Sequence, residues 1–253
     1  MCEKSYAKVN IFLKIVGLRG DYHELNSRFV RVKNLYDEVS FIKSNEKELK
    51  IIGNFSCPIE KNTVYKAYKL LEKYKRVEEF FKNYYVKIDK KIPEFAGLGG
   101  GSSNAATFIN MVNRYCELNL NKDELAQIGK SVGADVPFFI YEYDSANVKG
   151  IGEIVEKFDE ETLDIDVITP NIKCNTGEIF KLFRKDYFEE KSEYKELFSL
   201  KSDKILESLN IFEANDLYKV ALKLEPKLEE FSKNYWFFSG SGSSFFRINS
   251  GKN

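Results

Sequence analysis

The sequence predicts an α+β fold organised as two domains. Segments typical of strands and helices follow one another without a regular βα alternation, which favours mixed layers over a doubly wound parallel sheet. The chain has 253 residues, a length that suits one or two domains of roughly 150 residues each. We place the boundary near Gly150, so that residues 1–150 form an N-terminal domain and residues 151–253 a C-terminal domain.

The first half of the chain opens with a strand pattern. In "YAKVNIFLKIVG" apolar residues alternate from Val9 to Ile15, which predicts a strand with one core face. The opposite face carries Lys8, Asn10, Phe12 and Lys14. Further strands are predicted in "RFVRVKNLYDEVSFI", "KELKIIGNFS" and "YYVKIDKKI". One helix is predicted in "NTVYKAYKLLEKYKRVEEFFKN", with Asn62 or Thr63 as its N-cap.

The remaining elements are mostly helical. Helices are predicted in "SSNAATFINMVNRYCEL" and in "NKDELAQIGKSVG", the second beginning at Asn121 and ending at Gly133. A strand in "LDIDVITP" is followed by helices in "NTGEIFKLFRK", "DKILESL" and "NDLYKVALKLEPKLEEFSKN". The pattern "YWFFSGSGSSFFRIN" predicts a closing strand–turn–strand.

Composition excludes several classes of function. The 39 basic residues equal the 39 acidic ones, which argues against a nucleic-acid partner. His23 is the only histidine, so an HExxH zinc site is excluded. The four cysteines are scattered without a CxxC pair, as in a reducing cytosol. The N-terminus lacks the features of a signal peptide, and no apolar run reaches the roughly 20 residues of a membrane span. We therefore expect a cytoplasmic protein without a membrane partner.

A glycine-rich loop carries most of the functional signal. Four of the fifteen glycines fall within residues 97–101, directly before a predicted helix. Amides at a helix N-terminus are unpaired and carry partial positive charge, and glycine lets the backbone approach phosphate oxygens. Ser102, Ser103 and Asn104 add side-chain donors. The loop is neither a Walker A motif nor a complete GxGxxG motif. We interpret it as a polyphosphate cradle, the alternative being a turn that only caps the helix.

The loop segment "GLGGGSSNAA" resembles the second motif of the GHMP kinases. Three other segments resemble motifs of one branch, the CDP-methylerythritol kinases. They are "AKVNIFLKIVGLRGDYHEL" with its Lys-x-Asn and Tyr-His pairs, "VGADVPFF", and "FSGSGSSFF" with a Gly-Ser-Gly turn. The matches occur in family order and span nearly the whole chain. One departure is that Asp21 directly precedes Tyr22, where the family usually has a glycine between them.

The resemblance implies a fold and a reaction. The fold would be the two-domain GHMP kinase fold, with an N-terminal layer like domain 2 of ribosomal protein S5 and a ferredoxin-like C-terminal layer that is shorter than usual. The reaction would move the γ-phosphoryl group of ATP to the 2-hydroxyl of 4-diphosphocytidyl-2-C-methyl-D-erythritol, in the non-mevalonate isoprenoid pathway. Mg²⁺ is expected with ATP. Its protein ligands are unassigned, with Ser103 as the one candidate.

The resemblance also assigns roles to residues. Asp135 would be the general base for the acceptor hydroxyl, and Lys8 would keep it ionised and face the transferred charge. The residues implied to hold the nucleotide are Phe95, Ala96, Gly97, Leu98, Gly99, Gly100, Gly101, Ser102, Ser103, Asn104 and Ala105. The residues implied to bind the cytidine-linked substrate are Asn10, Tyr22, His23, Thr176, Phe180, Gly240 and Gly242.

Simpler interpretations stand beside these roles. Asp135 could instead be the N-cap of the next helix, and Lys8 could be an ordinary exposed lysine. Tyr22 and Phe180 could simply pack in the core. Two other functions are also open. One is a different GHMP kinase, acting on homoserine or a mevalonate-type substrate; the Lys8, Asn10 and Tyr-His set favours cytidine instead. The other is a non-catalytic nucleotide-binding or RNA-binding module on a similar fold.

Overall fold

The computed structural model describes residues 1–44, 49–191, 194–232 and 235–249. The chain forms two compact units, each assembled from three separate segments. The first unit comprises Met1–Ala7, Leu35–Glu94 and Gly99–Glu142. The second unit comprises Lys8–Asn34, Phe95–Leu98 and Tyr143–Asn253. The chain leaves the first unit for the last time after Glu142, whereas the domain boundary near Gly150 stays a prediction.

Two long paired strands supply residues to both units. Strand β1 is Cys2–Arg19 and strand β2 is Tyr22–Lys43. The expectation that β1 has one core face is wrong, because residues 7–15 are all buried and the strand is therefore covered on both faces. Phe12 is fully buried, and Lys14 is buried beside Asp216 of the second unit, with 3.1 Å between ammonium and carboxylate.

The first unit contains a small sheet and a group of helices. Two short strands extend the sheet from the second half of β2, namely β3, Ile51–Gly53, and β4, Tyr84–Asp89. Strand β4 pairs antiparallel with β2, in a register that runs from Glu38 opposite Asp89 to Lys43 opposite Tyr84, and β3 pairs parallel with β4. The strand predicted in residues 47–56 is therefore shorter than expected, and its first two residues lie outside the described part of the chain.

The single helix predicted after Asn62 is two helices. Helix α1 is Thr63–Leu71, helix α2 is Lys75–Phe81, and Tyr74 between them is extended. The apolar residues explain the break, because the buried stripe of α1 would continue through charged positions such as Glu78 in a straight helix. The break turns α2 so that it buries Val77 and Phe81 instead. Asn62 caps α1 as predicted, accepting hydrogen bonds from two backbone amides.

Three further helices complete the first unit. They are α3, Gly100–Tyr115; α4, Lys122–Val132; and α5, Val136–Tyr141. Helix α3 packs against α1, α4 and α5 and is the centre of this helical layer. Helix α4 begins as predicted, with a capping box in which Asn121 and Glu124 satisfy each other's amides.

The second unit holds the first half of β2 and a separate three-stranded sheet. Strand β5, Ser145–Lys149, pairs antiparallel with β2 and with β6, Ile154–Lys157. The strands of the separate sheet are β7, Ile165–Ile168; β8, Phe237–Phe238; and β9, Phe245–Ile248. Strand β9 lies in the middle and pairs antiparallel with both neighbours. The α+β prediction is confirmed.

The helices of the second unit are short. They are α6, Thr176–Asp186; α7, Lys195–Ser199; α8, Ser202–Ser208; α9, Ile211–Ala214; and α10, Tyr218–Leu224. Where one long helix is predicted in residues 215–234, helix α10 ends at Leu224, because Pro226 cannot continue it and a 3₁₀ turn follows. The last two residues of that prediction lie outside the described part of the chain. Among the described residues, no helix has the length and apolar character needed to cross a bilayer.

Candidate active site

The glycine loop ends at the N-terminus of α3. Gly99 is the N-cap residue, with a left-handed backbone (φ 69°), and no side chain caps the helix. Gly100 and Ser102 are half-buried and Gly101 is exposed. The first amides of α3 have no acceptor one turn earlier, so this end of a 16-residue helix offers donors and partial positive charge to an anion.

The next two loop residues turn inward. Ser103 and Asn104 are 1% and 3% exposed. The Ser103 hydroxyl accepts a 2.8 Å hydrogen bond from Ser5, and the Asn104 amide donates to Ser5 and to Asp37 at 2.9 Å. Lys90 donates to the Asn104 side-chain oxygen and to Asp37. These side chains therefore brace the first turn of α3 from within the first unit.

The earlier part of the loop, residues 95–98, belongs to the second unit and lies on the turn before β9. The carbonyl of Gly97 accepts a hydrogen bond from the Ser239 hydroxyl at 3.0 Å, and the amide of Ser244 donates to the carbonyl of Ala96 at 3.1 Å. Gly97 has φ 73°, and a Cβ atom there would lie 2.1 Å from the carbonyl oxygen of Ser239. Only glycine fits this position.

Lys8 contacts the same loop segment inside the second unit, and Asn10 contacts Lys8. The Lys8 ammonium donates to the Asn10 side-chain oxygen at 2.7 Å and to the Gly97 carbonyl at 3.2 Å. Lys8 is 3% exposed, so the interpretation as an ordinary exposed lysine is wrong. The Asn10 amide donates to Ser27, which fixes which end of the Asn10 side chain faces the ammonium. These hydrogen bonds hold the ammonium at a defined place.

The turn predicted to approach the substrate phosphates is well braced. Gly240 and Gly242 have φ values of 58° and 91°. The Asn215 side chain donates to the carbonyl of Gly240 at 2.9 Å. Thr176, at the start of α6, shares a 2.7 Å hydrogen bond with the hydroxyl of Ser241. The structure therefore brings Thr176 together with the turn that contains both glycines.

Two of the residues assigned to cytidine, His23 and Phe180, have rings in contact within the second unit. The ring of His23 lies 5.0 Å from that of Phe180, and the Tyr22 side chain is 64% exposed. Core packing is therefore the wrong interpretation for Tyr22, while Phe180 is half-buried. Burial, and then the nearby Arg184, lower the pKa of His23. Within the described part of the chain its Nε2 atom has no hydrogen-bond partner, so a neutral imidazole presents an unused nitrogen.

Asp135 occupies the N-cap position of α5 but does not act as a cap. Its side chain makes no capping hydrogen bond to the helix. The residue is half-buried, and Val136 to Ile140 after it are buried. Pro137 lies in the first turn and has no amide to satisfy. The carboxylate is consequently not committed to the amides of its own helix.

Sequence patterns do not single out three residues that shape these groups, namely Ser27, Asp37 and Asn215. Each is buried, and each bonds to a part of the chain far away in sequence. Local sequence offers no signal for any of the three; Asp37, for example, is followed directly by the charged Glu38. A single sequence does not indicate the partner of such a residue.

Comparison with known proteins places the chain in a family. The family model described as GHMP kinases N terminal domain matches residues 62–143. The 4-diphosphocytidyl-2-C-methyl-D-erythritol kinase of Sulfurimonas denitrificans is 50% identical over 99% of this chain and 97% of its own length. The chain belongs to this family of GHMP kinases. The enzyme of the same name from Sulfurovum sp. is 44% identical, over 96% of this chain and 97% of its own.

Solved structures agree with this membership in the GHMP kinases. A crystal structure of 4-(cytidine 5'-diphospho)-2C-methyl-D-erythritol kinase has a TM-score of 0.75 and 26% identity, covering 99% of this chain and 90% of that one. A mevalonate kinase structure has a TM-score of 0.67 at 18% identity, covering 99% and 92%, and shows the shared fold alone. The GHMP kinase fold is thus confirmed. The chain is a small-molecule kinase, and membership in this family implies the use of ATP.

Proposed function

We propose that this kinase phosphorylates the 2-hydroxyl of 4-diphosphocytidyl-2-C-methyl-D-erythritol, using ATP. The observation that carries the proposal is the 50% identity to a kinase of that name along nearly the full length of both chains. The aromatic group of His23 and Phe180, together with the exposed Tyr22, supports the cytidine part of the substrate, because flat rings stack on a base. Homoserine and mevalonate have no base for such a group to bind.

The proposed reaction forms one bond and breaks one. The acceptor oxygen attacks the γ-phosphorus of ATP, its proton passes to the Asp135 carboxylate, and ADP leaves with the electrons of the broken P–O bond. Such transfers proceed through a loose transition state, so that positioning and charge stabilisation carry most of the catalysis. We assign Lys8 to stabilise the charge on the transferred group, and Asn10 to orient the acceptor by hydrogen bonding.

The glycine loop is assigned to the ATP phosphates. Its exposed or half-buried backbone at Gly99, Gly100, Gly101 and Ser102 supports this role. The side chains of Ser103 and Asn104 are engaged inside the first unit, so the proposal gives them the task of shaping the loop. Phe95 has a positive φ and is 60% exposed, unlike the buried Ala96 and Leu98 of the same loop.

Magnesium fits this site as an ion carried by the nucleotide. Among the described residues, no group of three or more His, Cys, Asp or Glu side chains is arranged to hold a metal ion. Mg²⁺ prefers phosphate oxygens and water to an all-protein cage, and it would neutralise charge on the ATP phosphates. We assign no metal role to Ser103, because its hydroxyl is buried against Ser5.

The test mixes the protein with Mg-ATP and the cytidine-linked substrate and follows the products by phosphorus NMR. The proposal expects ADP and a new phosphate monoester. Homoserine and mevalonate serve as parallel acceptors, and CMP is added as a competitor. Transfer to either parallel acceptor with no inhibition by CMP would support a different GHMP kinase. ATP binding without transfer to any acceptor would support a non-catalytic module.

A further inference from the structure

We propose that Asp37 is a positioning residue for the ATP loop. This inference rests on the proposed function in one respect, namely that residues 95–105 are taken as the loop that binds ATP. Asp37 lies in β2 and is fully buried. It touches neither the glycines nor, in the proposal, the nucleotide. Its effect on ATP would pass through the segments on either side of the glycines.

The Asp37 carboxylate binds both flanks of the loop. One oxygen accepts hydrogen bonds from the backbone amides of Lys91 and Ile92, at 2.6 and 2.8 Å. The other accepts from the Lys90 ammonium and, at 2.9 Å, from the Asn104 side chain. Residues 90–92 precede the glycines, and Asn104 follows them as the fifth residue of α3. A single side chain therefore ties the entry of the loop to its exit, entirely within the first unit.

The charge balance of this cluster suits a phosphate site. A buried carboxylate without a partner would be costly, and the nearby Lys90 ammonium compensates for it. A Cβ atom on Gly100 would lie 3.4 Å from the Lys90 nitrogen, which puts the ammonium beside the first residue of α3. Because the pair is neutral as a whole, Asp37 can hold the loop without cancelling the positive end of the helix.

The need for such an anchor follows from the composition of the loop. Glycine has more conformational freedom to lose than any other residue, and this loop has four. A loop that is ordered only when ATP arrives binds more weakly, because part of the binding free energy is spent on ordering it. Holding the loop in advance should therefore affect the affinity for ATP and leave the affinity for the cytidine-linked substrate unchanged.

The test is Asp37→Asn. The variant keeps the size and shape of the side chain but removes its charge, and its NH₂ group replaces an oxygen that accepts two hydrogen bonds. We expect the Kd and KM for ATP to rise by roughly tenfold or more, since charge-assisted hydrogen bonds are about twice as strong as neutral ones. The KM for the acceptor should not change. The matched control is Glu38→Gln, because Glu38 is the next residue and its carboxylate contacts the side chains of Lys91 and Cys2. A folded Asp37→Asn protein with wild-type ATP affinity would overturn the proposal.

A second measurement uses the wild-type protein and decides the matter if Asp37→Asn does not fold. Without nucleotide, the amides of Lys91 and Ile92 should exchange slowly with deuterium, because both are bound to the carboxylate. Exchange as fast as in an exposed loop would contradict a loop held in advance. The Kd for ATP is measured without an acceptor and the exchange is measured without any ligand, so both results remain valid if the cytidine-linked acceptor proves wrong.

Discussion

The ammonium of Lys8 donates a 2.7 Å hydrogen bond to the side-chain oxygen of Asn10, two residues along the same strand. The ammonium also reaches the Gly97 carbonyl and lies 4.5 Å from the centre of the Phe29 ring. The two oxygens and the aromatic face hold the cation in place, and none of the three carries a formal charge. The lysine is thus tied directly to the backbone of the glycine loop.

Replacing Lys8 by Met should lower kcat by about 10²–10³, the usual effect of removing one group that stabilises charge in a transition state. The fold should survive, because Met fills a similar volume. Steady-state kinetics on the cytidine-linked substrate make the measurement. Lys4→Met, at an exposed position of the same strand, is the control. Equal rates for the two variants would remove Lys8 from the mechanism.

Replacing Asp135 by Asn should lower the rate by roughly 10²–10⁴, as expected for loss of a general base. ATP affinity should change little, because the loop assigned to the phosphates is unaltered. The stability of α5 should also hold, since the carboxylate does not cap it. Asp89→Asn, at an exposed carboxylate of β4, provides the comparison. Near-full turnover by the Asp135 variant would rule out the proposed base.

Replacing Gly97 by Ala should destabilise the protein by about 1–3 kcal/mol or more. The positive φ of this residue and the nearby carbonyl of Ser239 both oppose a side chain there. Gly101→Ala is the matched control. Its Cβ would meet Thr63 at an ordinary 3.5 Å. Alanine there should increase stability by about 0.5–1 kcal/mol, since Gly101 lies within a helix. Urea denaturation of both variants measures the difference, and similar midpoints would contradict the close approach at Gly97.

The pKa of His23 makes stability depend on pH in a defined direction. Burial lowers this pKa below the ordinary 6.5, so the unfolded chain takes up a proton before the folded one does. The free energy of unfolding should therefore fall as pH drops below about 6.5, until the folded protein is also protonated. Because His23 is the only histidine, His23→Gln should flatten this slope. Denaturation of the wild type and the variant at several pH values tests this prediction. An unchanged slope in His23→Gln would show that other groups cause the pH dependence.

Replacing Tyr22 by Ala should raise the KM for the cytidine-linked substrate by about tenfold, the scale of one lost stacking contact. Stability should be unchanged, since the side chain is 64% exposed. Tyr235→Ala, at a tyrosine that is 91% exposed, is the control and should leave KM as it is. A Tyr22 variant with wild-type KM would separate this residue from cytidine binding.

The sequence is sufficient to predict structural features that depend on neighbouring residues. The glycine loop, the start of α3 and the caps at Asn62 and Asn121 are all predicted, because each depends on residues within one or two turns. The break at Tyr74 is not predicted, although the change of phase in the apolar pattern is present in the sequence. The prediction of one helix extends the apolar stripe of α1 past Tyr74, whereas α2 buries a different set of positions.

Features that depend on distant residues are not predictable in the same way. The sequence pattern of β1 predicts one buried face, yet both faces of the strand are buried in the folded chain. Asp37 is not singled out, because its partners come 53 or more residues later. Each compact unit is assembled from separate segments of the chain. No linker or change of composition in the sequence marks where these segments begin and end.

The pairing of Lys14 with Asp216 has a consequence for biosynthesis. The two residues are 202 positions apart, so the lysine emerges from the ribosome roughly 10–40 s before its counterion at ordinary elongation rates. The last segment of the first unit ends at Glu142, whereas the second unit needs residues made much later. The N-terminal hairpin is therefore synthesised long before this partner, and Lys14 has no Asp216 to pair with until more than four fifths of the polypeptide has been translated.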